Sequence, residues 1–343
     1  YNLMRRFFRD ITEEDINAFL KCADWLIEDD DPDAVDKMDA DSLKFWKDKH
    51  AFSDALRSGV FQGITLLALL QEENLGSSEL IRNFFQQKLD SFGLVRYLSN
   101  RNYLQLVAEA VPSEFLCYIQ SNMRDDSELL KEIFEVRQRK YDIVGTSIYY
   151  TDLLFCLENL AWDEHYLSLV TDILLYLCKY PNESNWANKP INSLMEIYRF
   201  RLPQTYATFD QRMDILHNLS GKYPDEVRIL CFKELKGISS MVFTHTSQFK
   251  WRWMERQFTP KYIESIPAEY VQRVVDLMLQ LTQWTNDDIC DYLELSSNDY
   301  MRFSRDCLLA AISEHKDQMK GNDLIVETLR KDIKRHRSCK KAK

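Results

Sequence analysis

Residues 151–205, TDLLFCLENLAWDEHYLSLVTDILLYLCKYPNESNWANKPINSLMEIYRFRLPQT, decide how the chain is read. Leu153, Leu157, Leu160 and Trp162 mark one apolar stripe, and Leu167, Val170, Leu174 and Leu177 mark a second at the same spacing. That spacing is helical, since a strand would alternate every second residue. The stretch predicts two striped helices, an Asn/Trp-rich elbow, and a third short helix stopping at Pro203. It holds no nucleophile with a neighbouring base, no ligand cluster and no glycine loop, so it reads as a packing and docking element.

Working outward, the same rhythm covers most of the 343 residues. Only 8 Gly and 8 Pro occur, too few for the many tight turns of a β-rich chain. Thr12 is an N-cap with Glu13, Glu14 and Asp15 in the first turn, where the helix dipole favours acids. Asp29–Asp41 is expected to be an exposed acidic linker. Its Asp29, Asp31 and Asp33 imitate a calcium loop, but Ala34 and Ala40 stand where Gly and Glu are needed. Helices are predicted near 42–57, 60–74, 78–91, 101–110, 112–121 and 126–140, broken at Gly59, Gly76 and Gly93, with Pro112 at a first helical position.

Thr208 with Gln211 forms a capping box, and Pro224 opens the next helix. Asp163 reads as another N-cap. Thr285 with Asp288 begins a later helix, and further helices are expected near 298–316 and 322–337. The expected fold is all-α, an α-solenoid of degenerate antiparallel helix pairs of the TPR or HEAT kind. Its expected divisions are an N-terminal array over 1–145, central repeats with two long loops over 146–260, C-terminal helices over 261–337, and a basic tail over 338–343.

Net charge is −10, which opposes general binding to nucleic-acid phosphates. Apolar runs such as Leu66–Leu70 are too short to span a bilayer, no secretory signal opens the chain, and a cytoplasmic location is expected. Eight cysteines are scattered without a CxxC pair, so free thiols are expected. Tyr1 in place of Met predicts that the chain continues upstream. No phosphate loop, GxGxxG, GxSxG or HExxH occurs, and no cofactor or metal is expected. A dispersed enzyme site would draw on Glu158, Asp163 and His165 near the elbow.

Two stretches carry candidate contacts for a partner. The elbow NESNWANKP sets Trp186 among Asn residues, with Asn188 positioned to bond loop amides. Trp186 either plugs a gap between helices or meets a partner. In 245–256, Lys250, Arg252 and Arg256 interleave with Trp251 and Trp253. Such a mixture suits a protein hot spot, stacked single-stranded nucleic acid, or the anchoring of a long connection. The basic residues of the tail from Leu329 either meet nucleic acid or another domain, or belong to a frayed, solvated helix end.

LENLAWDEHYLSLV (157–170), WANKPINSLMEI (186–197), LPQT (202–205) and the His245–Thr246 pair ahead of WRW (251–253) resemble a helical-repeat region of large bacterial STAND-type NTPases. Those proteins are similar to the antiviral STAND (AVAST) family of antiphage defence. The resemblance is strongest over about 151–258 and weaker to about 295. The proline usual between the His–Thr pair and the tryptophan is missing here. The resemblance implies a non-catalytic sensor module that recognises a folded phage protein, such as a terminase or portal, and relays to an upstream ATPase and effector of the same polypeptide. The alternative is a nucleic-acid-binding or scaffolding helical-repeat protein.

Overall fold

A computed structural model describes residues 2–35, 49–76, 78–124, 128–134, 149–180, 188–238, 248–252, 262–315, 325–331 and 333–334. Among the described residues there are 16 α-helices and no strand, so the fold is all-α. Within these residues no helix is long and apolar enough to cross a membrane. The chain divides into two compact units: residues 1–193 with 246–259, and residues 194–245 with 260–343.

The first unit holds α1 (Asn2–Phe7), α2 (Glu13–Ile27), α3 (Asp54–Leu75), α4 (Glu79–Leu89), α5 (Leu94–Asn100), α6 (Leu104–Ala110), α7 (Pro112–Arg124), α8 (Glu128–Phe134), α9 (Thr151–Leu160) and α10 (Glu164–Leu177). Helix α3 packs on α6 and α6 on α9, while α4 packs on α7, α7 on α10, and α5 on α8. The stripes of α9 and α10 supply the core: Leu153, Leu157, Leu160, Leu167, Val170 and Leu174 are all sealed from solvent. Each such side chain contributes ~1.5–3 kcal/mol by burial. Trp162, in the turn between them, is also buried.

Caps fix the helix starts as the sequence indicates. Thr12 and Asp15 form a reciprocal capping box on α2, and Asp163 accepts from the His165 amide at 2.9 Å. Gly76, at φ 72°, closes α3 in the left-handed conformation that a side chain would resist. The expected break at Gly59 does not occur. Helix α3 runs unbroken through Gly59 and Gly63, because Ser53 caps it and Gly63 makes room for α2. A Cβ there would lie 3.0 Å from Phe19 Cζ.

The acidic stretch after α2 is also corrected. Its described part, 29–35, is not an exposed linker: Asp31 is buried and the Asp29 side chain is only 9% exposed. The cause is Arg57 on α3, which is wholly buried. Its Nη1 donates to Asp29 O at 2.8 Å and Oδ2 at 3.3 Å, and its Nη2 to Ser99 O and Asn100 Oδ1, both at 2.9 Å. Asp29 in turn accepts from the amides of Ala51 and Phe52.

Helix α11 (Pro190–Tyr198) contains the point where the two units divide, and it ends before Pro203, not at it. The second unit continues with α12 (Phe209–Ser220), α13 (Pro224–Lys236), α14 (Ala268–Gln280), α15 (Asn286–Ser296) and α16 (Arg305–Glu314). Helices α12, α13 and α14 pack on one another, and α15 packs on α16. Phe209 stacks on Tyr270 with centroids 3.9 Å apart. Capping boxes at Thr208–Gln211 and Thr285–Asp288 begin α12 and α15.

Glu234 on α13 is buried, and burial pushes its pKa up to about 8 despite the pull of Arg199 and Arg212. Burial likewise lowers Arg212 to about 10. Its Nη1 donates to the Tyr198 carbonyl at 2.7 Å.

Candidate binding surfaces

Of the seven residues read as partner contacts, four are described. Trp186, Trp253 and Arg256 lie outside the described residues. Asn188 is exposed, and its backbone carbonyl accepts from the Tyr150 hydroxyl at 2.9 Å. Lys250 is exposed, with its ammonium 4.6 Å from the Trp251 ring centroid.

Trp251 and Arg252 are anchored within the first unit. Trp251 is 8% exposed. Its amide donates to Glu109 Oε1, which also accepts from the Arg252 amide at 2.8 Å. The Arg252 guanidinium forks onto Glu72 at 2.8 and 3.2 Å, while Nε reaches the Glu109 carbonyl at 2.6 Å and Nη2 the Ala110 carbonyl at 3.1 Å. Planar guanidinium geometry matches that bidentate arrangement. Burial is the largest influence on Glu109 and raises its pKa, against the Trp251 and Arg252 amides that pull it down. Either protonation state leaves an oxygen able to accept.

The three residues considered for a dispersed enzyme site have separate structural partners. Glu158 accepts the Ser193 hydroxyl at 2.6 Å, Asp163 caps α10, and His165 meets Tyr166 edge-on at 5.0 Å.

Two concavities escaped the sequence reading. In the first unit, the turn after α1 and helices α2, α3 and α4 enclose a groove of about 760 Å³, lined by Phe8, Ile11, Ile16, Gln71, Leu75 and Leu80 among others. Leu75 at its edge is 70% exposed, and Leu3 and Phe7 of α1 are also exposed. Gln71 is 5% exposed, yet its Oε1 has no hydrogen-bond partner. That oxygen is sealed from solvent, so the missing donor is an internal cost of ~1–3 kcal/mol. Nothing local in the sequence marks Gln71 as a groove residue.

In the second unit, a cavity of about 420 Å³ is lined by residues including Arg201, Glu264, Tyr300, Arg302 and Phe303. Arg201 is 7% exposed and joins 199–202 to 262–264. Its Nη1 donates to Glu264 O at 2.7 Å, and to Ile263 O and Tyr262 Oη at 3.3 Å each. Its backbone carbonyl accepts from the Ile263 amide at 2.8 Å. Locally, the sequence shows here only a cation among aromatics in YMRF, 300–303.

Compared with known proteins, the chain matches no family model, no curated protein and no solved structure.

Proposed function

We propose that this chain is a protein-recognition module, built as a stacked helical array, that docks a folded partner and catalyses nothing itself. The groove between the turn after α1 and helices α2, α3 and α4 carries the reading. It joins an apolar lining that includes Phe8, Ile11, Ile16 and Leu80 to an exposed lip at Leu75. A segment of a partner protein with an apolar face would cover that lip. The stacked-array reading is supported by packing that recurs at every third helix in the first unit, a repeat of three helices instead of two.

The class of partner comes from the resemblance to STAND sensor regions. On that reading the partner is a phage protein, and docking releases an ATPase in the same polypeptide to switch on its effector. The anchoring of Trp251 and Arg252 then holds the 248–252 segment against α3 and α6, leaving Lys250 facing solvent.

A photo-crosslinking residue placed at Asn83, which is exposed on the groove wall, tests the proposal in bacteria before and after phage infection. A phage-encoded protein should appear in the crosslinked product after infection and vanish when Leu75→Asp is introduced. Identical products from infected and uninfected cells would overturn the proposal.

A further inference from the structure

We propose that the second unit's cavity is a binding site for an organic carboxylate, an acid group joined to an apolar or aromatic body. The first observation is the unspent part of Arg201. Nη1 is taken up by the Tyr262 hydroxyl and two backbone carbonyls, and Nε lies 3.4 Å from the Ile238 carbonyl. Nη2 makes no hydrogen bond, and no carboxylate pairs with Arg201 among the described residues. Nη2 is also absent from the polar atoms sealed without a partner, a set that does include Nε of Arg57, Arg212 and Arg228. Nη2 therefore keeps some exposure, and Arg201 lines the cavity. A positive charge 7% exposed, and neutralised by no acid among the described residues, gains more from an incoming anion than a surface lysine would.

The surroundings specify the ligand further. The Arg201 guanidinium sits 5.4 Å from the Tyr300 ring centroid and 5.9 Å from that of Tyr262, so aromatic faces flank its sides and leave its edge for a hydrogen-bonded anion. Arg302 lines the same cavity and lies 4.4 Å over the Phe303 ring, itself 64% exposed. Ile238, Ile266 and Val271 supply an apolar wall. Glu264 contributes one carboxylate to the lining, which disfavours a doubly charged phosphate and leaves a single negative charge as the better match for two arginines. The volume, about 420 Å³, falls in the range of roughly 300–1,000 Å³ seen for small-molecule sites.

This inference does not rest on the protein-recognition reading, because its test needs only the purified chain and small molecules. Titration calorimetry with N-acetyl-phenylalanine and N-acetyl-leucine should show saturable binding at one site per chain. N-acetyl-phenylalaninamide, which lacks the acid, should bind at least tenfold more weakly, and inorganic phosphate should not compete.

Arg302→Gln changes an exposed side chain, so the protein should fold, and it should weaken binding of N-acetyl-phenylalanine several-fold. Phe303→Ala should weaken N-acetyl-phenylalanine more than N-acetyl-leucine. Arg201→Lys should abolish binding. If that variant unfolds, as judged by circular dichroism, the Arg302 and Phe303 variants decide the matter. Binding of neither acid, equal binding of acid and amide, competition by phosphate, or indifference to Arg302→Gln would each overturn the proposal.

Discussion

Arg252 and Glu72, 180 residues apart in sequence, form a two-pronged ion pair that ties the 248–252 segment to helix α3. The pair is partly shielded, with side-chain exposures of 12% and 32%. Arg252→Ala removes this pair together with the bonds to Glu109 O and Ala110 O. Charge-assisted hydrogen bonds of this kind contribute ~1.5–3 kcal/mol. The variant should show faster proteolysis near 248–252 and a red-shifted tryptophan emission as Trp251 meets water. Lys250→Ala, which alters an exposed side chain, should change neither.

A larger loss is expected at Arg57. Removing its guanidinium strands Asp29, Asn100 Oδ1 and the Ser99 carbonyl away from bulk water. Breaking a buried pair by deleting one partner costs ~3–5 kcal/mol. Arg57→Ala should lower the unfolding free energy in urea by that order. A loss below ~0.5 kcal/mol, the scale of an ordinary surface change, would show that the network adds nothing.

Glu234 should make stability depend on pH. Its pKa in the folded protein is about 8, above the ordinary glutamate value, so between roughly pH 4.5 and 8 the native state holds a proton that the unfolded chain has released. Stability from this group is therefore present below that window and is lost as pH rises through it. The effect amounts to ~1.4 kcal/mol for each tenfold shift in proton affinity. Denaturation midpoints should fall from pH 5 to pH 8 and fall less steeply in Glu234→Gln. Equal slopes for the two proteins would contradict the assignment.

The Thr285 cap offers a modest test. Its hydroxyl oxygen accepts from the Asp288 amide at 3.2 Å, and Asp288 also takes the Arg228 guanidinium at 2.5 Å. Thr285→Ala should cost ~1 kcal/mol, and Thr285→Ser should restore most of it. Thermal unfolding of the three proteins measures both.

Local signals were legible in the sequence, and distant ones were not. The caps at Thr12, Asp163, Thr208 and Thr285 were readable because cap and donating amide lie within three residues. The stripes of α9 and α10 announced their buried faces through spacing alone. Asp29 and Asp31 misled, since an acidic run looks solvated until Arg57, 28 residues from Asp29, is known to sit behind it. Gly59 misled in the opposite direction, because α3 tolerates it inside a long helix held by tertiary packing. Arg201 and Gln71 left no local trace. Gln71 is set apart by an unpartnered side-chain oxygen and Arg201 by its place in a cavity, and both are visible only once the neighbours are in place.

The division of the chain has a practical consequence for anyone cutting it. The polypeptide passes from one unit to the other after Ser193, returns after His245, and leaves again after Thr259. No single truncation therefore yields either half intact. Stopping at Ser193 would deprive Glu72 and Glu109 of the arginine and amides delivered from 251–252. Starting at Leu194 would carry that same strip along as a dangling insert. A faithful isolated first half would need residues 246–259 grafted back through a designed bridge.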